Sequence, residues 1–190
     1  RVLLVGGYDG HGDGPTYDTA EIYDPVSDTW SSAGTMAEVR KGHSATLLTT
    51  GPNAGKVLVA GGCERHPSNT ATAGSELYDP DTGMWTATGS LNESRSGHSA
   101  TLLPDGRVLV AGGGTGLSTV RSSAEIYDPQ TGTWSPAASM STPRIAHTAT
   151  SLALGNIPLG NILVAGGRTG AFGSTPLASV EVYDPATDTW

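Results

Sequence analysis

Short blocks of hydrophobic residues, each closed by turn residues, recur along the whole chain, and residues 98–134 show one complete unit of the pattern. Apolar and hydroxyl residues alternate over 98–103, a Pro-Asp-Gly turn follows, and a continuous apolar block covers 107–111 before two glycines. A loop then leads to a third block at 124–127 and a fourth at 133–134. Short blocks between turn residues are typical of strands, so the unit predicts a four-stranded antiparallel meander with strands a, b, c and d in chain order.

Three markers recur in fixed order, with spacings of 55, 51 and 54 residues between double glycines. Each copy has a double glycine, a Tyr-Asp-Pro triplet and a tryptophan seven residues after the tyrosine: Gly6, Gly7, Tyr23 and Trp30; Gly61, Gly62, Tyr78 and Trp85; Gly112, Gly113, Tyr127 and Trp134; Gly166, Gly167, Tyr183 and Trp190. A period near 50 residues with four strands per unit is typical of a β-propeller blade. We therefore predict an all-β propeller of about four blades, residues 1–39, 40–94, 95–143 and 144–190, whose first blade lacks its innermost strand.

The segments VLLVGG, VLVAGG, VLVAGG and ILVAGG, followed by EIYDPVSDTW, ELYDPDTGMW, EIYDPQTGTW and EVYDPATDTW, resemble the kelch motif over essentially the whole chain. Kelch propellers usually have about six or seven blades and complete one blade with strands from both chain ends. The resemblance leaves open a segment of a larger ring, a ring shared by two chains and a self-closed ring of four blades. The phrase HSATLLPDGRVLVAGG is also similar to bacterial, extracytoplasmic kelch-like sequences, which implies an extracytoplasmic or secreted protein.

The recurring residues of the repeat are expected to be structural. Tyrosine and tryptophan on neighbouring strands predict a large aromatic contact in each blade, and the double glycine allows strands to approach closely near the axis. A glutamate stands two residues before each tyrosine, at Glu21, Glu76, Glu125 and Glu181. Four equivalent positions are too regular for a single catalytic site, so we expect these carboxylates to bind backbone or arginine groups.

An Arg-x-x-His pattern occurs three times, each time at the entry of strand a: Arg40 and His43, Arg95 and His98, Arg144 and His147. One interpretation is that these side chains bond within or between blades. The other is a ring of guanidinium groups at the top of the channel, which could receive carboxylates of an acidic peptide or sugar.

Ligand binding is expected on the face formed by the b–c loops and the d–a connections, here called the top face. The b–c loops, residues 8–20, 63–75, 114–124 and 168–180, diverge in sequence while the strands do not. Besides the three arginines, the candidate binding residues on this face are Tyr8, Asp9, His11, Arg65, His66, Arg121, Arg168 and Phe172. The acidic residues of the first loop do not have calcium-loop spacing, and we expect no metal and no cofactor.

The charge and the single cysteine argue against several function classes for this segment. The chain has 10 Lys and Arg against 18 Asp and Glu, a net charge of −8, which gives no support to nucleic-acid binding. No apolar run is long enough to insert into a membrane. Copper radical oxidases with kelch-like propellers need a Cys cross-linked to a Tyr, a second Tyr and two histidines at the metal, and no such set surrounds Cys63, the only cysteine.

The sequence therefore predicts a non-enzymatic interaction scaffold that binds a protein or a carbohydrate through its b–c and d–a loops. The alternative is part of a copper radical oxidase, or of another glycan-active propeller enzyme, whose catalytic residues lie outside this segment. Self-association through open blade edges is a further expectation, because strand b is apolar on both faces and a blade left uncovered exposes that surface.

Overall fold

The computed structural model describes residues 1–10, 14–64, 70–116, 119–152, 160–170 and 174–190, and within these residues all regular structure is β. None of the described segments is a helix that could cross a membrane. The strands are β1 (Val2–Val5), β2 (Thr19–Asp24), β3 (Thr29–Thr35), β4 (Ser44–Leu47), β5 (Val57–Ala60), β6 (Ser75–Asp79), β7 (Met84–Ala87), β8 (Ser99–Leu102), β9 (Val108–Ala111), β10 (Gly114–Thr115), β11 (Thr119–Val120), β12 (Ala124–Asp128), β13 (Thr133–Ala137), β14 (Thr148–Ser151), β15 (Ile162–Ala165) and β16 (Val180–Tyr183).

Four antiparallel sheets correspond to the predicted blades. Blade 1 is β1-β2-β3, blade 2 is β4-β5-β6-β7, blade 3 is β8-β9-β12-β13, and blade 4 is β14-β15-β16. The meander and the missing innermost strand of blade 1 are as the sequence predicts. The register places Tyr127 opposite Trp134 on one side and Val108 on the other, so the two aromatic markers lie side by side in one row across the blade.

Two parts of the structure differ from the predicted strands. The outermost strand of blade 4 is reduced to an isolated bridge between Asp184 and Thr189. The b–c loop of blade 3, predicted as irregular, contains the short hairpin β10–β11, and the other b–c loops close with single bridges such as that between Cys63 and Ala71. The divergent loops therefore rise from a shared antiparallel stem, which the loop sequences do not reveal.

The hydrophobic core lies between blades, because alternate residues of each strand point to opposite faces of the sheet. One side of a blade, the aromatic face, carries the tyrosine, the tryptophan and the glutamate, and it packs on the aliphatic face of the preceding blade. Between blades 2 and 3, the contact consists of Val108, Val110, Tyr127 and Trp134 against Leu48, Leu58, Ala60, Leu77 and Leu91. Burial of each large apolar side chain contributes roughly 1.5–3 kcal/mol, so these contacts hold the blades together.

The innermost strands β4, β8 and β14 are neighbours in that order around the axis. The two outward faces of this array are open: Val2, Leu4 and Trp30 are more than half exposed on the aromatic face of blade 1, and Val180 is 58% exposed on the opposite face of blade 4. Among the described strands, β1 pairs only with β2, and the cleft beside it, about 410 Å³, is lined largely by apolar side chains.

The double glycines allow a close backbone approach, as the sequence predicts. Gly61 and Gly62 have φ values of 62° and 96°, and a Cβ on Gly61 would lie 2.5 Å from the carbonyl oxygen of Arg95. The approaching element is the d–a segment that leads into the next blade. A side chain at Gly61 would therefore displace the segment that carries the repeated arginine.

Candidate functional site: the top face

The top face is built where each d–a segment crosses the stem of a b–c loop. In blade 2, the Arg95 amide donates a hydrogen bond to the Thr72 carbonyl at 3.3 Å, and the Gly62 amide donates to the Arg95 carbonyl at 2.9 Å. Equivalent pairs of bonds hold Arg40 against the loop stem of blade 1 and Arg144 against the loop stem of blade 3. The backbone around each repeated arginine is therefore fixed before any side chain acts.

The side chain of each repeated arginine reaches into the blade that its d–a segment leads into. Arg95 Nη1 donates to the carbonyls of Gly112 and Ser123 at 2.8 and 2.9 Å, and Nη2 donates to Glu125 Oε1 at 2.8 Å. Arg40 and Arg144 make the same bonds, to Glu76 at 3.1 Å and to Glu181 at 2.9 Å. The three arginines are 1%, 0% and 0% exposed. Of the two roles that the sequence leaves open for them, the structure supports the contact between blades, because a ligand carboxylate cannot reach a buried guanidinium group.

The partner glutamate completes a connection here called the blade latch: one arginine, the glutamate of the next blade and the tryptophan of that blade. Glu125 accepts hydrogen bonds from the Asn92 and Glu93 amides at 2.7 and 3.1 Å, and Trp134 Nε1 donates to the Gly89 carbonyl at 2.9 Å. The structural role predicted for the glutamates is thus confirmed at Glu76, Glu125 and Glu181.

The latch lowers the pKa of its most exposed glutamate. Burial by itself would raise the pKa of Glu181, but the amides of Ser141 and Thr142 and the guanidinium of Arg144 donate hydrogen bonds to the carboxylate and bring the pKa below its usual value. The carboxylate is therefore ionised at neutral pH, and its charge compensates the buried arginine.

The three repeated histidines directly precede the innermost strands β4, β8 and β14. His98 Nε2 lies 3.0 Å from Ser44 Oγ of blade 2, and His147 Nε2 lies 2.9 Å from Ser99 Oγ of blade 3. Burial, reinforced by the positive charge of Arg95, lowers the pKa of His98 to about 3. Burial beside the equivalent arginines lowers the pKa of His43 and of His147 to about 4. All three rings are neutral at pH 7, and those of His98 and His147 connect blades.

The remaining candidate residues are placed separately. Tyr8 is 48% exposed, and Lys41 Nζ lies 5.1 Å from its ring centroid. Asp9 is exposed in the same loop, and Arg168 lies at the base of the blade 4 loop, in bridges with Ile145 and Pro176. Four candidates lie outside the described residues: His11, Arg65, His66 and Phe172.

Arg121 is held by an acidic residue that sequence reasoning missed. Its Nη1 donates to Glu93 Oε1 at 2.7 Å and its Nε to the Ser94 carbonyl at 3.2 Å. Glu93 stands two residues before Arg95, and Glu38 stands two residues before Arg40. The recurrence of a glutamate two residues before the arginine in two copies could have identified these residues from the sequence. Their carboxylates remain 41% exposed at Glu93 and 50% exposed at Glu38 on the top face.

Beside Glu38, the top face has a hollow of about 520 Å³, here called the blade 1–2 hollow. It is lined by Ala37, Glu38, Val39, Glu64, Thr70, Ala71 and Thr72. One wall comes from the d–a segment that leads into blade 2 and the other from the b–c loop of blade 2. The hollow therefore combines two carboxylates with an otherwise uncharged lining.

The described residues hold no group of three His, Cys, Asp or Glu side chains that could bind a metal ion. Cys63 is a free, buried thiol, and its Sγ accepts a hydrogen bond from Ser96 Oγ at 3.4 Å. These contacts assign Cys63 to the packing at the base of its loop.

Comparison with known proteins agrees with the blade architecture. The profile of the Kelch motif matches residues 1–37, 94–141 and 159–190, more than half of the chain. Kelch-like ECH-associated protein 1A of Danio rerio is 33% identical over 113 residues, which are 59% of this chain and 17% of that protein. The F-box/kelch-repeat protein SKIP30 of Arabidopsis thaliana is 31% identical over 123 residues, 62% of this chain and 30% of that protein. The chain thus spans less than a third of either relative, and with the repeat, the blades and the matched profile in agreement, it belongs to the kelch-repeat family.

Proposed function

We propose that the chain is a non-enzymatic kelch-repeat scaffold that binds a protein partner through its top face. The observation that supports the proposal is that the repeated and the variable residues of this face differ in burial. The latch residues that repeat are buried, while the residues that differ between blades, such as Tyr8, Lys41 and Glu64, stand at the surface on fixed stems. Variable side chains on a rigid frame are the usual design of a recognition surface. Kelch repeats typically serve as interaction scaffolds, which supports the same proposal.

Carbohydrate binding is a second proposal, favoured by the two exposed tyrosine rings of the blade 1 loop. Tyr8 and Tyr17 are 48% and 39% exposed, and aromatic rings with a polar end suit surfaces that are partly apolar and partly hydrated. A glycan array tests it. Binding of a defined glycan that is lost in a Tyr8→Ala, Tyr17→Ala double variant would support carbohydrate as the ligand.

The protein-binding proposal is tested by panning a displayed peptide library against the chain and mapping each bound peptide by hydrogen exchange. We expect protection of the b–c loops and the d–a segments. Lys41→Glu on the top face should weaken selected peptides, while Arg107→Glu, in the a–b turn on the opposite face, serves as the matched control. Peptides that protect only the opposite face, or that lose affinity only with Arg107→Glu, would contradict the proposal.

Self-association through the open blade faces is a separate proposal, and so is the extracytoplasmic location, which is supported only by the resemblance of HSATLLPDGRVLVAGG. Exposed Val2, Leu4 and Val180 support association, because apolar blade faces are costly to leave in water. Light scattering tests it: a concentration-dependent mass above 19.3 kDa is expected, and a constant mass of 19.3 kDa contradicts it.

A further inference from the structure

Two equivalent places on the top face differ in whether a guanidinium group fills them. The Arg144 amide donates to the Arg121 carbonyl in blade 3, and the Arg95 amide donates to the Thr72 carbonyl in blade 2. These bonds show that Arg121 and Thr72 hold the same position in their blades. In blade 3, the long side chain at this position bridges to the preceding d–a segment through Glu93 and the Ser94 carbonyl.

In blade 2 the side chain of Thr72 is short, and among the described residues no guanidinium group lies at that place, which is the blade 1–2 hollow. Glu38 stands where Glu93 stands, and its Oε2 lies 3.2 Å from Arg40 Nη2, as Glu93 Oε2 lies 3.4 Å from Arg95 Nη2. In blade 3 the second oxygen, Oε1, binds Arg121, whereas no described residue donates a hydrogen bond to Glu38 Oε1.

The backbone acceptor is also available in the hollow. Val39 corresponds to Ser94, whose carbonyl accepts the bond from Arg121 Nε. In the part of the chain that the structure describes, no backbone amide donates to the Val39 carbonyl. The hollow adds a second carboxylate, Glu64, at its rim. Its acceptors therefore reproduce the two that hold a guanidinium in blade 3, with one more negative charge.

We propose that the blade 1–2 hollow binds an arginine side chain of the protein partner, in the manner in which blade 3 binds its own Arg121. The inference rests on the proposed function, since it names the chemistry of a partner on the same face. A planar guanidinium can donate to a carboxylate and a carbonyl at once, which a lysine ammonium, as a point charge, does less well. The partner segment therefore carries an arginine that projects from its surface.

The test uses the full chain and a defined probe, N-acetyl-arginine amide, titrated with detection by amide chemical shifts in NMR. We expect a dissociation constant on the order of millimolar, with the largest shifts at the amides of Val39 and Thr72. N-acetyl-lysine amide should bind more weakly. Glu38→Gln should weaken the arginine probe by about tenfold, because it removes the charge-assisted bond.

Thr72→Arg is the decisive variant, because it supplies in cis the side chain that blade 3 has, and it should abolish binding of the probe. Glu93→Gln is the matched control at the filled position and should leave the affinity of the hollow unchanged. Arg65→Ser is included because Arg65 lies in the same loop, outside the described residues. If the probe binds only after Arg65→Ser, the chain fills its own hollow and the inference is wrong.

Equal shifts in the native chain, Glu38→Gln and Thr72→Arg would also overturn the inference. The outcome is separable from that of the proposed function. Displayed peptides that bind the top face without arginine, and independently of Glu38, would refute the arginine site but leave the scaffold function standing. A probe that enters the hollow when no displayed peptide binds the top face would refute the scaffold function and retain the arginine site.

Discussion

The aromatic faces of blades 1 and 3 carry the same repeat residues in different surroundings. Trp134 of blade 3 is 9% exposed and donates its indole hydrogen to blade 2, whereas Trp30 of blade 1 is 53% exposed. Glu125 accepts bonds from Arg95 and from two amides, whereas among the described residues no donor reaches Glu21. The tyrosine and tryptophan rings are in tilted contact in both blades, with ring centroids 5.2 Å apart.

The difference shows which part of the repeat belongs to one blade and which part belongs to two. The contact between the two aromatic rings forms within a blade and is also present on an open face. The blade latch needs the d–a segment of a preceding blade, and among the described residues the glutamate and the indole of blade 1 have no such partner. The kelch repeat is therefore a unit of sequence that becomes a unit of stability only when a neighbour is in place.

Removal of the latch glutamate is expected to give the largest difference in stability loss between the two faces. Glu125→Ala leaves Arg95 buried without its carboxylate and should lower the free energy of unfolding by about 3–5 kcal/mol. Glu21→Ala, the matched change on the open face, should cost less than about 0.5 kcal/mol. Urea denaturation measures both. Similar losses in the two variants would mean that the latch does not set the difference between the faces.

Removing the indole is expected to give a smaller contrast of the same sign. Trp134→Ala should cost about 3 kcal/mol, since it opens a cavity between blades and removes the bond to Gly89. Trp30→Ala should lower the free energy of unfolding by under about 1 kcal/mol, because only the contact with the Tyr23 ring is lost. The shift in the urea midpoint of each variant measures these two losses of stability. A Trp134→Ala chain that melts like the native protein would remove this indole from the core.

Acid should weaken the contacts between blades through the axial histidines. In the folded chain the pKa of His98 is about 3 and that of His43 about 4, below the ordinary value of 6.5. The unfolded chain therefore binds protons that the folded chain excludes, and stability present above pH 6.5 falls as the pH is lowered towards 4. Each such histidine should cost roughly 2 kcal/mol between pH 7 and pH 5.

His98→Gln provides the control for this pH dependence, since an amide can still bond to Ser44 and does not titrate. Its free energy of unfolding should fall less steeply than that of the native chain between pH 6.5 and 5. The same slope in both proteins would assign the acid sensitivity to other groups. His43→Gln, nearer the open face of blade 1, extends the comparison to a less enclosed ring.

The smallest effect is expected at the residue directly before the repeated histidine. Gly42 and Gly97 have φ values of 62° and 66°, and Ala146 holds the same conformation at 54°. Because a side chain is strained there, Ala146→Gly should stabilise the chain by up to about 1 kcal/mol. A thermal shift assay measures the gain, and a lower melting temperature would show that the Ala146 methyl contributes packing that outweighs the strain.

Much of the fold could be predicted because its signals are local and repeated. Short-range pattern alone predicts one strand from the alternation around Ala100 and another from the apolar run that ends at Ala111. The turn before Trp134 marks the start of a further strand. The stems of the b–c loops could not be predicted in this way. Their pairing, as between Cys63 and Ala71, depends on the d–a segment that lies across them.

The site was less predictable, because sequence gives the identity of a charge but not its burial. The repetition of Arg40, Arg95 and Arg144 was compatible with both a latch and an open ring, and only their near-zero exposure favours the latch. The more accessible charges, Glu38 and Glu93, are single residues beside a conspicuous repeat. What each glutamate can bind depends on the residue that faces it, which is a threonine for Glu38 and an arginine for Glu93. The two residues of each facing pair are about thirty positions apart in the chain, so the sequence does not show that they meet.

A line of backbone hydrogen bonds runs around the axis at the top face. The Gly97 amide donates to the Gly42 carbonyl at 2.8 Å, and the Ala146 amide donates to the Gly97 carbonyl at 3.0 Å. Each bond joins one blade only to the next, so disruption can spread along the line but cannot skip a blade. Such a chain frays from its ends: amide protons of the outer blades should exchange with solvent first, and those around Gly97 should be the last to be lost.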